Sequence, residues 1–245
     1  MSRSRIGKIV GVHQMAIPPK HTRVVLAVIT TTDELSLACT TSLLKLQQIA
    51  AQRTDLALDV HLVTSFLEAL NTYVRGDVVI MIDGAVGIPH EFVLGVLDSP
   101  HAVVAGVYPT ARVDWDRVAK VLHDPTATEP LHHAGNVYNV TPDPGRGLVR
   151  YVPIRDVTEL KVLAIKSSVL ESMAGPDISY TIQDGTAYLF THESVFENKY
   201  QNVYQTLTRK LQDKGVHIVA DLDAPCTLAA PAQFAGCVGM RSAVR

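Results

Sequence analysis

The segment that decides the fold, residues 77–89, reads DVVIMIDGAVGIP. Its apolar run, Val78–Ile82, favours a strand that is buried on both faces, as strands of parallel sheets are. Asp83 ends this run, and a turn-rich segment leads from it to Pro89, which is well placed in the first turn of a helix. A strand, a turn and a helix in this order are typical of α/β proteins.

Strand-like and helix-like segments alternate on both sides of this unit. Strands are predicted at Val24–Ile29, Leu58–Val63 and Ala102–Val107, and helices from a cap at Thr31–Asp33 to Gln52, over Ser65–Val74, from Pro89 to Leu97 and over Asp114–Leu122. The alternation predicts an α/β fold with a mostly parallel sheet flanked by helices. Ligands of such sheets bind beyond the carboxyl ends of the strands, which places Asp83 and Tyr108-Pro109 at the expected binding edge.

The second half of the chain has a less regular pattern. Two extended segments, Asn136–Val140 and Leu148–Ile154, flank a turn and predict a hairpin-like excursion. Further elements are predicted as a strand at Val162–Ile165, a helix at Ser167–Met173, a helix at Glu193–Lys214 and a strand at Val216–Asp221, before an irregular tail from Ala224. The predicted organisation is an N-terminal extension (1–22), one domain (23–223) with halves 23–122 and 123–223, and the tail (224–245).

Composition excludes several classes of protein. The 245 residues include 22 Lys and Arg against 24 Asp and Glu, and this balance argues against a broad basic face for nucleic acid. No apolar run approaches the roughly 20 residues that span a bilayer, and no secretory signal is recognisable. Three cysteines without CxxC spacing favour free thiols in a reducing, cytoplasmic location.

Motifs of several common enzyme classes are missing from the sequence. It contains no GxxxxGK[ST], no HExxH, no GxSxG and no GxGxxG after a strand. A Rossmann-type oxidoreductase or a nucleotidyltransferase, which would share the α/β pattern, is disfavoured because the glycine fingerprint or basic cluster of such sites is absent.

A different constellation follows the central strand. Asp83 stands at the strand end, the next strand runs into Gly106-Val107-Tyr108-Pro109, and Asp114-Trp115 comes shortly afterwards. This pattern resembles the nucleotide-sugar-dependent glycosyltransferases of the GT-A fold, particularly a small family found in large DNA viruses, phages and bacteria. The similarity is best over residues 23–121.

The resemblance implies a set of site residues and partners. A divalent cation, Mn²⁺ or Mg²⁺, would neutralise the donor diphosphate, with Asp83 as its ligand in an Asp-x-Asp motif. The nucleotide-sugar site would comprise Asp83, Gly84, Ala85, Ser65, Asn71, Tyr108 and Pro109, and the acceptor region Asp114, Trp115 and Lys161. The partners would be a nucleotide-sugar and a glycan or protein acceptor.

The sequence departs from the family pattern at five places. The second acid of the Asp-x-Asp motif is Ala85, and a family arginine is replaced by Leu70. The remaining departures are Leu160-Lys161 at a small Gly-rich segment that gives the acceptor room, Gln201–Val203 at an acidic pair, and Thr227-Leu228 at a late metal-binding histidine. Each removes a charge or a space that nucleotide-sugar chemistry requires.

Two hypotheses follow from these departures. In the first, the protein is an active glycosyltransferase with an altered donor site, where Asp114, Asp116, Glu193 or Glu197 supplies the general base. In the second, it is a non-catalytic structural or binding module of GT-A fold within a larger assembly such as a virion.

Simpler structural roles are also expected for several of these residues. Asp83 is as well suited to a loop or cap as to function, and Asp114 is better explained as a helix N-cap. Tyr108 is expected to pack or to line the cleft, and Trp115 to anchor the core.

Overall fold

The structure is a computed structural model. It describes residues 21–30, 34–71, 75–128, 134–142, 149–157, 160–173, 181–183, 186–188, 193–196 and 199–229. None of the described helices is both long and apolar enough to cross a bilayer.

Strands and helices alternate through the first half of the chain. Its elements are β1 (Thr22–Ile29), α1 (Leu37–Gln52), β2 (Leu56–Val63), α2 (Phe66–Asn71), β3 (Val78–Asp83), β4 (Val86–Gly87), α3 (His90–Asp98), β5 (Val103–Gly106), β6 (Pro109–Val113) and α4 (Trp115–His123).

Short strands dominate the second half. Its elements are β7 (Asn136–Tyr138), β8 (Val140–Pro142), β9 (Tyr151–Val157), β10 (Val162–Lys166), α5 (Ser167–Met173), β11 (Thr181–Gln183), β12 (Thr186–Tyr188), β13 (Glu193–Phe196), β14 (Lys199–Asn202), α6 (Val203–Asp213), β15 (Ile218–Asp221) and β16 (Thr227–Leu228).

The centre of the molecule is one large sheet. Over the described residues its strand order is β2-β1-β3-β10-β5-β15-β9-β8. Strands β1, β2 and β3 are parallel to one another, as are β5 and β15, whereas β10 runs antiparallel to both β3 and β5, and β9 antiparallel to β15. The predicted α/β sheet flanked by helices is therefore confirmed, and antiparallel strands separate or border its parallel groups.

Helices cover both faces of this sheet. Along β1, Val25 and Ala27 belong to the core beneath α2, α5 and α6, whereas Val24 and Leu26 belong to the core beneath α1 and α3. Residues Val24–Val28 have no exposed surface, because successive side chains point to opposite and equally covered faces. Burial on both faces explains why the central strands appear as continuous apolar runs in the sequence.

The start of the first helix differs from the prediction. Helix α1 begins at Leu37, and its N-cap is Ser36, whose side chain accepts a hydrogen bond from the Cys39 N–H (3.1 Å). The predicted cap, residues 31–33, lies outside the described residues. Serine was the better cap because its hydroxyl reaches an N–H of the first turn directly.

The helix predicted over Glu193–Lys214 is wrong in its first part. The chain forms the hairpin of β13 and β14, in which Val195 pairs with Tyr200, and only then the helix α6. β-branched and aromatic residues suit a strand pair, whereas the apolar spacing of a helix begins further along, where Leu207 and Leu211 are buried.

Two further segments are more ordered than the prediction. The hairpin-like excursion is formed by β8 and β9, which pair with each other. In the tail, predicted to be irregular from Ala224, Thr227-Leu228 forms β16 and pairs with β4. Residues 230–245 lie outside the described part of the chain.

Candidate functional site

Asp83 ends β3 at the carboxyl edge of the sheet and is fixed by its own backbone surroundings. Its N–H donates to the Lys161 carbonyl oxygen (2.7 Å), and its Oδ1 accepts from the Ala85 N–H (2.8 Å). An aspartate that binds the N–H two residues later makes a tight turn. One carboxylate oxygen is therefore used to shape the loop.

The other carboxylate oxygen is bound by a cation. Lys161 Nζ lies 3.1 Å from Asp83 Oδ2, and the two side chains are 22% and 33% exposed. Lys161 directly precedes β10, and because β10 is antiparallel to β3, its first residue lies at the edge where β3 ends. The predicted acceptor-region residue and the predicted metal ligand thus bind each other.

A buried network supports Lys161 from below. The Lys161 N–H donates to the Tyr108 hydroxyl (3.0 Å), and Tyr108 has no exposed surface. Asn139, also fully buried, accepts from the Tyr108 N–H (2.9 Å) and donates to the Gly106 carbonyl (3.1 Å). Tyr108 therefore packs beneath the site, as expected, and Pro109 starts β6 beside it.

The tail holds the loop that follows Asp83. Strand β16 pairs with β4, and the Ala229 N–H donates to the Ala85 carbonyl oxygen (2.8 Å). On the other side of the loop, a Cβ on Gly87 would lie 2.8 Å from the Ala38 carbonyl oxygen. Glycine is required there because the α1 backbone approaches so closely.

An open cleft of about 340 Å³ lies beside Asp83, and Lys161 is not among the residues that line it. Its walls are the end of β1, the start of α1 and the loop after β3, through Ile29, Thr30, Glu34, Leu35, Ser36, Asp83, Gly84 and Ala85. Gly84 is tightly placed in this wall, since a Cβ there would lie 3.0 Å from Leu35 Cδ2. The cleft has the size of a small-molecule site.

Cys39 lies under this loop and titrates abnormally. Burial, and to a smaller extent the negative charge of Asp83, raise the pKa of its thiol to about 11. The thiol is 1% exposed, so it behaves as a protonated, apolar core group.

A second acid at the same edge was missed by the sequence interpretation. Asp221 ends β15, is fully buried, and is bound by Arg150 through Nε–Oδ1 (3.0 Å) and Nη2–Oδ2 (2.8 Å) contacts. Arg150 directly precedes the antiparallel strand β9, as Lys161 precedes β10. The sequence signal is a basic residue just before one strand and an acidic residue at the end of another. It predicts an ion pair only when the two strands are known to be antiparallel neighbours.

Other predicted site residues lie away from the cleft. Ser65 caps α2 by accepting from the Glu68 N–H (3.1 Å), and Asn71 is the last residue of that helix. Asp114 caps α4 by accepting from the Arg117 N–H (3.0 Å), which confirms its structural role. Strand β6 separates Asp114 from Tyr108, and five extended residues span roughly 16 Å.

Two expectations about single residues are wrong or lie beyond the structure. Trp115, expected in the core, is 71% exposed, because it stands on the outer face of α4. Of the candidate bases, Asp116 is exposed on α4, Glu193 starts β13, and Glu197 lies outside the described residues.

The residues around Asp83 do not fit a divalent cation. One carboxylate oxygen accepts an N–H, the other binds an ammonium group, and Ala85 offers no side-chain oxygen. Over the described part of the chain, no group of three or more His, Cys, Asp or Glu side chains is arranged to hold a metal. Mn²⁺ and Mg²⁺ require several oxygen ligands.

The sequence matches no protein-family model, and a search of curated proteins finds no match. What the protein does has therefore to be inferred from the geometry of its own residues.

Proposed function

We propose that the protein is a non-catalytic module of GT-A-like fold, a pseudo-glycosyltransferase that serves as a binding or structural component of a larger assembly. It keeps the scaffold and cleft of a nucleotide-sugar site and lacks the groups that metal-dependent transfer requires.

The observation that carries this proposal is the contact between Lys161 Nζ and Asp83 Oδ2. A metal-dependent transferase needs a free carboxylate at this strand end to bind the cation that neutralises the leaving diphosphate. Here a lysine of the same chain neutralises that carboxylate. Ala85 stands where the motif has its second acid, so a displaced Lys161 would still leave only one acidic ligand.

Position in the sheet supports the GT-A part of the proposal. Asp83, Gly84 and Ala85 line a cleft beyond the carboxyl ends of β1 and β3, where α/β proteins bind ligands. Lys161 contacts both Tyr108 and Asp83, and all three are among the site residues that the resemblance implies. A cleft of about 340 Å³ remains open beside Asp83, which suits a module that binds a ligand without turning it over.

Thermal-shift titration with UDP-, GDP- and TDP-sugars, with and without Mn²⁺, tests the proposal. A ligand that binds only the native state raises its stability, so a metal-dependent donor site would show a saturable, Mn²⁺-dependent shift. We expect no such shift and no hydrolysis of any donor. Either result in the wild-type protein would contradict the proposal.

A pair of variants separates the lysine from the missing acid. Ala85→Asp alone adds a carboxylate but leaves the ammonium in place, whereas Ala85→Asp with Lys161→Ala leaves two carboxylates without a cation. Isothermal titration with Mn²⁺ should detect binding to the double variant and little or none to the single variant. Equal Mn²⁺ affinity of both variants would show that Lys161 does not occupy the metal position.

A further inference from the structure

Helix α4 carries an apolar stripe that no described part of the chain covers. Trp115 is 71% exposed and Leu122 is 62% exposed, and Ala119 between them is exposed as well. Residues spaced by four and then three positions lie on one face of a helix. Trp115, Ala119 and Leu122 therefore form a continuous stripe, called here the α4 stripe.

The start and one side of the helix contact the chain around Gly135, although no residue of α4 is itself buried. The Asp114 N–H donates to the Gly135 carbonyl oxygen (2.9 Å), and the Asp114 side chain caps the first turn. Val118 packs so closely on Gly135 that a Cβ there would lie 2.7 Å from Val118 Cγ2. These contacts turn the face opposite the α4 stripe toward the rest of the protein.

The composition of the stripe is that of an interface. Trp115 is the single tryptophan of the chain, and tryptophan is among the residues most enriched at the energetic centres of protein interfaces. The small Ala119 in the middle permits the close approach of another helix. A large exposed side chain at each end and a small one at the centre suit a second helix that crosses near Ala119.

The charged residues beside the α4 stripe indicate the identity of the helix that would pack on it. With 100° between successive residues, Asp116, Lys120 and His123 lie on one flank of the α4 stripe. The acid is near the start of the helix, and the basic residues are near its end. In an antiparallel pair of two α4 helices related by a two-fold axis near Ala119, Asp116 of one copy lies opposite Lys120 and His123 of the other.

We propose that the occupant of the α4 stripe is a second copy of this chain, bound through an antiparallel pair of α4 helices. The charges beside the stripe are self-complementary, as those of an isologous interface must be. A helix of nine residues is about 13 Å long, which is short for the roughly 800 Å² per partner that stable complexes bury. The dimer is accordingly weak and depends on protein concentration.

Sedimentation velocity and tryptophan fluorescence over a concentration series test this dimer. Burial of Trp115 in the interface should shift its emission to shorter wavelength as the dimer forms, at the same concentrations at which the sedimentation coefficient rises. A chain that stays monomeric up to about 1 mM, the weak end of specific association, would overturn the proposal.

Two leucines with matched exposure provide the first control. Leu122→Ser should weaken dimerisation by at least about tenfold, as expected for the loss of a buried interface side chain. Leu62→Ser removes a leucine of similar exposure (64%) on β2 and should leave dimerisation unchanged. If both variants weaken it equally, association is non-specific and the α4 stripe is not the interface.

Charge-reversal variants test the antiparallel arrangement itself. Asp116→Lys gives a flank with only basic residues, and Lys120→Asp removes most of its positive charge, so each variant alone should be largely monomeric. Mixed together, the two have complementary flanks and should form a heterodimer. A mixture that stays monomeric while the wild type dimerises would rule out this pairing, and circular dichroism of each variant checks that α4 remains folded.

Discussion

Lys161 and Asp83 bind each other twice, once through the backbone and once through the side chains. The Asp83 N–H donates to the Lys161 carbonyl (2.7 Å), and Lys161 Nζ lies 3.1 Å from Asp83 Oδ2. The backbone bond belongs to the sheet and fixes where the lysine side chain begins. The ion pair at the carboxyl edge of the sheet is therefore a consequence of strand direction as much as of residue type.

Replacing Asp83 should separate the ion pair from the turn. Asp83→Asn removes the charge and keeps an acceptor for the Ala85 N–H, and should cost about 1 kcal/mol or less because the pair is partly exposed. Asp83→Ala also leaves that N–H without its acceptor and should cost roughly 1 kcal/mol more. Urea unfolding midpoints measure both. A larger loss for asparagine than for alanine would show that the turn contributes nothing.

The buried ion pair of Asp221 should matter far more for stability. Arg150→Met leaves the fully buried Asp221 carboxylate without its cation and should lower the free energy of unfolding by roughly 3–5 kcal/mol. Arg150→Met combined with Asp221→Leu removes both charges and should recover a large part of that loss. If the double variant is less stable than Arg150→Met alone in urea, the unpaired Asp221 carboxylate is not the cause of the loss.

The raised pKa of Cys39 predicts a loss of stability at alkaline pH. The folded protein holds the thiol protonated to about pH 11, whereas the unfolded chain releases its proton near 9.0. Unfolding then releases a proton between these values, so this contribution is complete below pH 9 and is lost as pH rises toward 11; its size is roughly 3 kcal/mol.

Urea unfolding midpoints from pH 7 to 10.5 measure this effect. Cys39→Ala cannot titrate at this position and should show a shallower decline above pH 9. Asp83→Asn removes the smaller of the two causes and should fall between wild type and Cys39→Ala. Parallel curves for wild type and Cys39→Ala would mean that the thiol is not the titrating group.

Removing hydrogen bonds from the network under Lys161 should lower the stability of the protein. Tyr108→Phe removes the hydroxyl that accepts the Lys161 N–H and should cost roughly 1–3 kcal/mol, since the ring is fully buried. Asn139→Leu, of similar branched shape but larger, loses its bonds to the Tyr108 N–H and the Gly106 carbonyl and should cost at least as much. Hydrogen exchange at the Tyr108 N–H, faster in Asn139→Leu and nearly unchanged in Tyr108→Phe, distinguishes the two.

Much of the fold follows from the sequence because the central strands are uniformly apolar. Val24–Ile29 and Val78–Ile82 are predicted within a residue or two, since a buried strand has no competing interpretation between turn residues. The Glu193–Lys214 segment fails because its first part is both polar enough for a surface helix and rich enough in Val, Phe and Tyr for a hairpin. The conformational preferences of the individual residues do not distinguish a helix from a hairpin in this segment.

Less of the candidate site is predictable. Asp83 and Tyr108 lie at the carboxyl edge of the sheet, as predicted, because they end or follow parallel strands. The roles of Lys161 and Arg150 depend on β10 and β9 running antiparallel to their neighbours, and strand direction is a property of the assembled sheet. Trp115 shows the opposite failure, since residue type alone places it in the core and α4 turns it outward.

The position of β10 also governs how the chain reaches its native state. This strand inserts between β3 and β5, although both precede it in the chain by more than fifty residues. During synthesis, the first half therefore waits with two unpaired strand edges until β10 emerges, and such edges are prone to aggregate. Pairing over that distance slows folding, so production of the full chain should benefit from a chaperone that shields β3 and β5 until β10 has been synthesised.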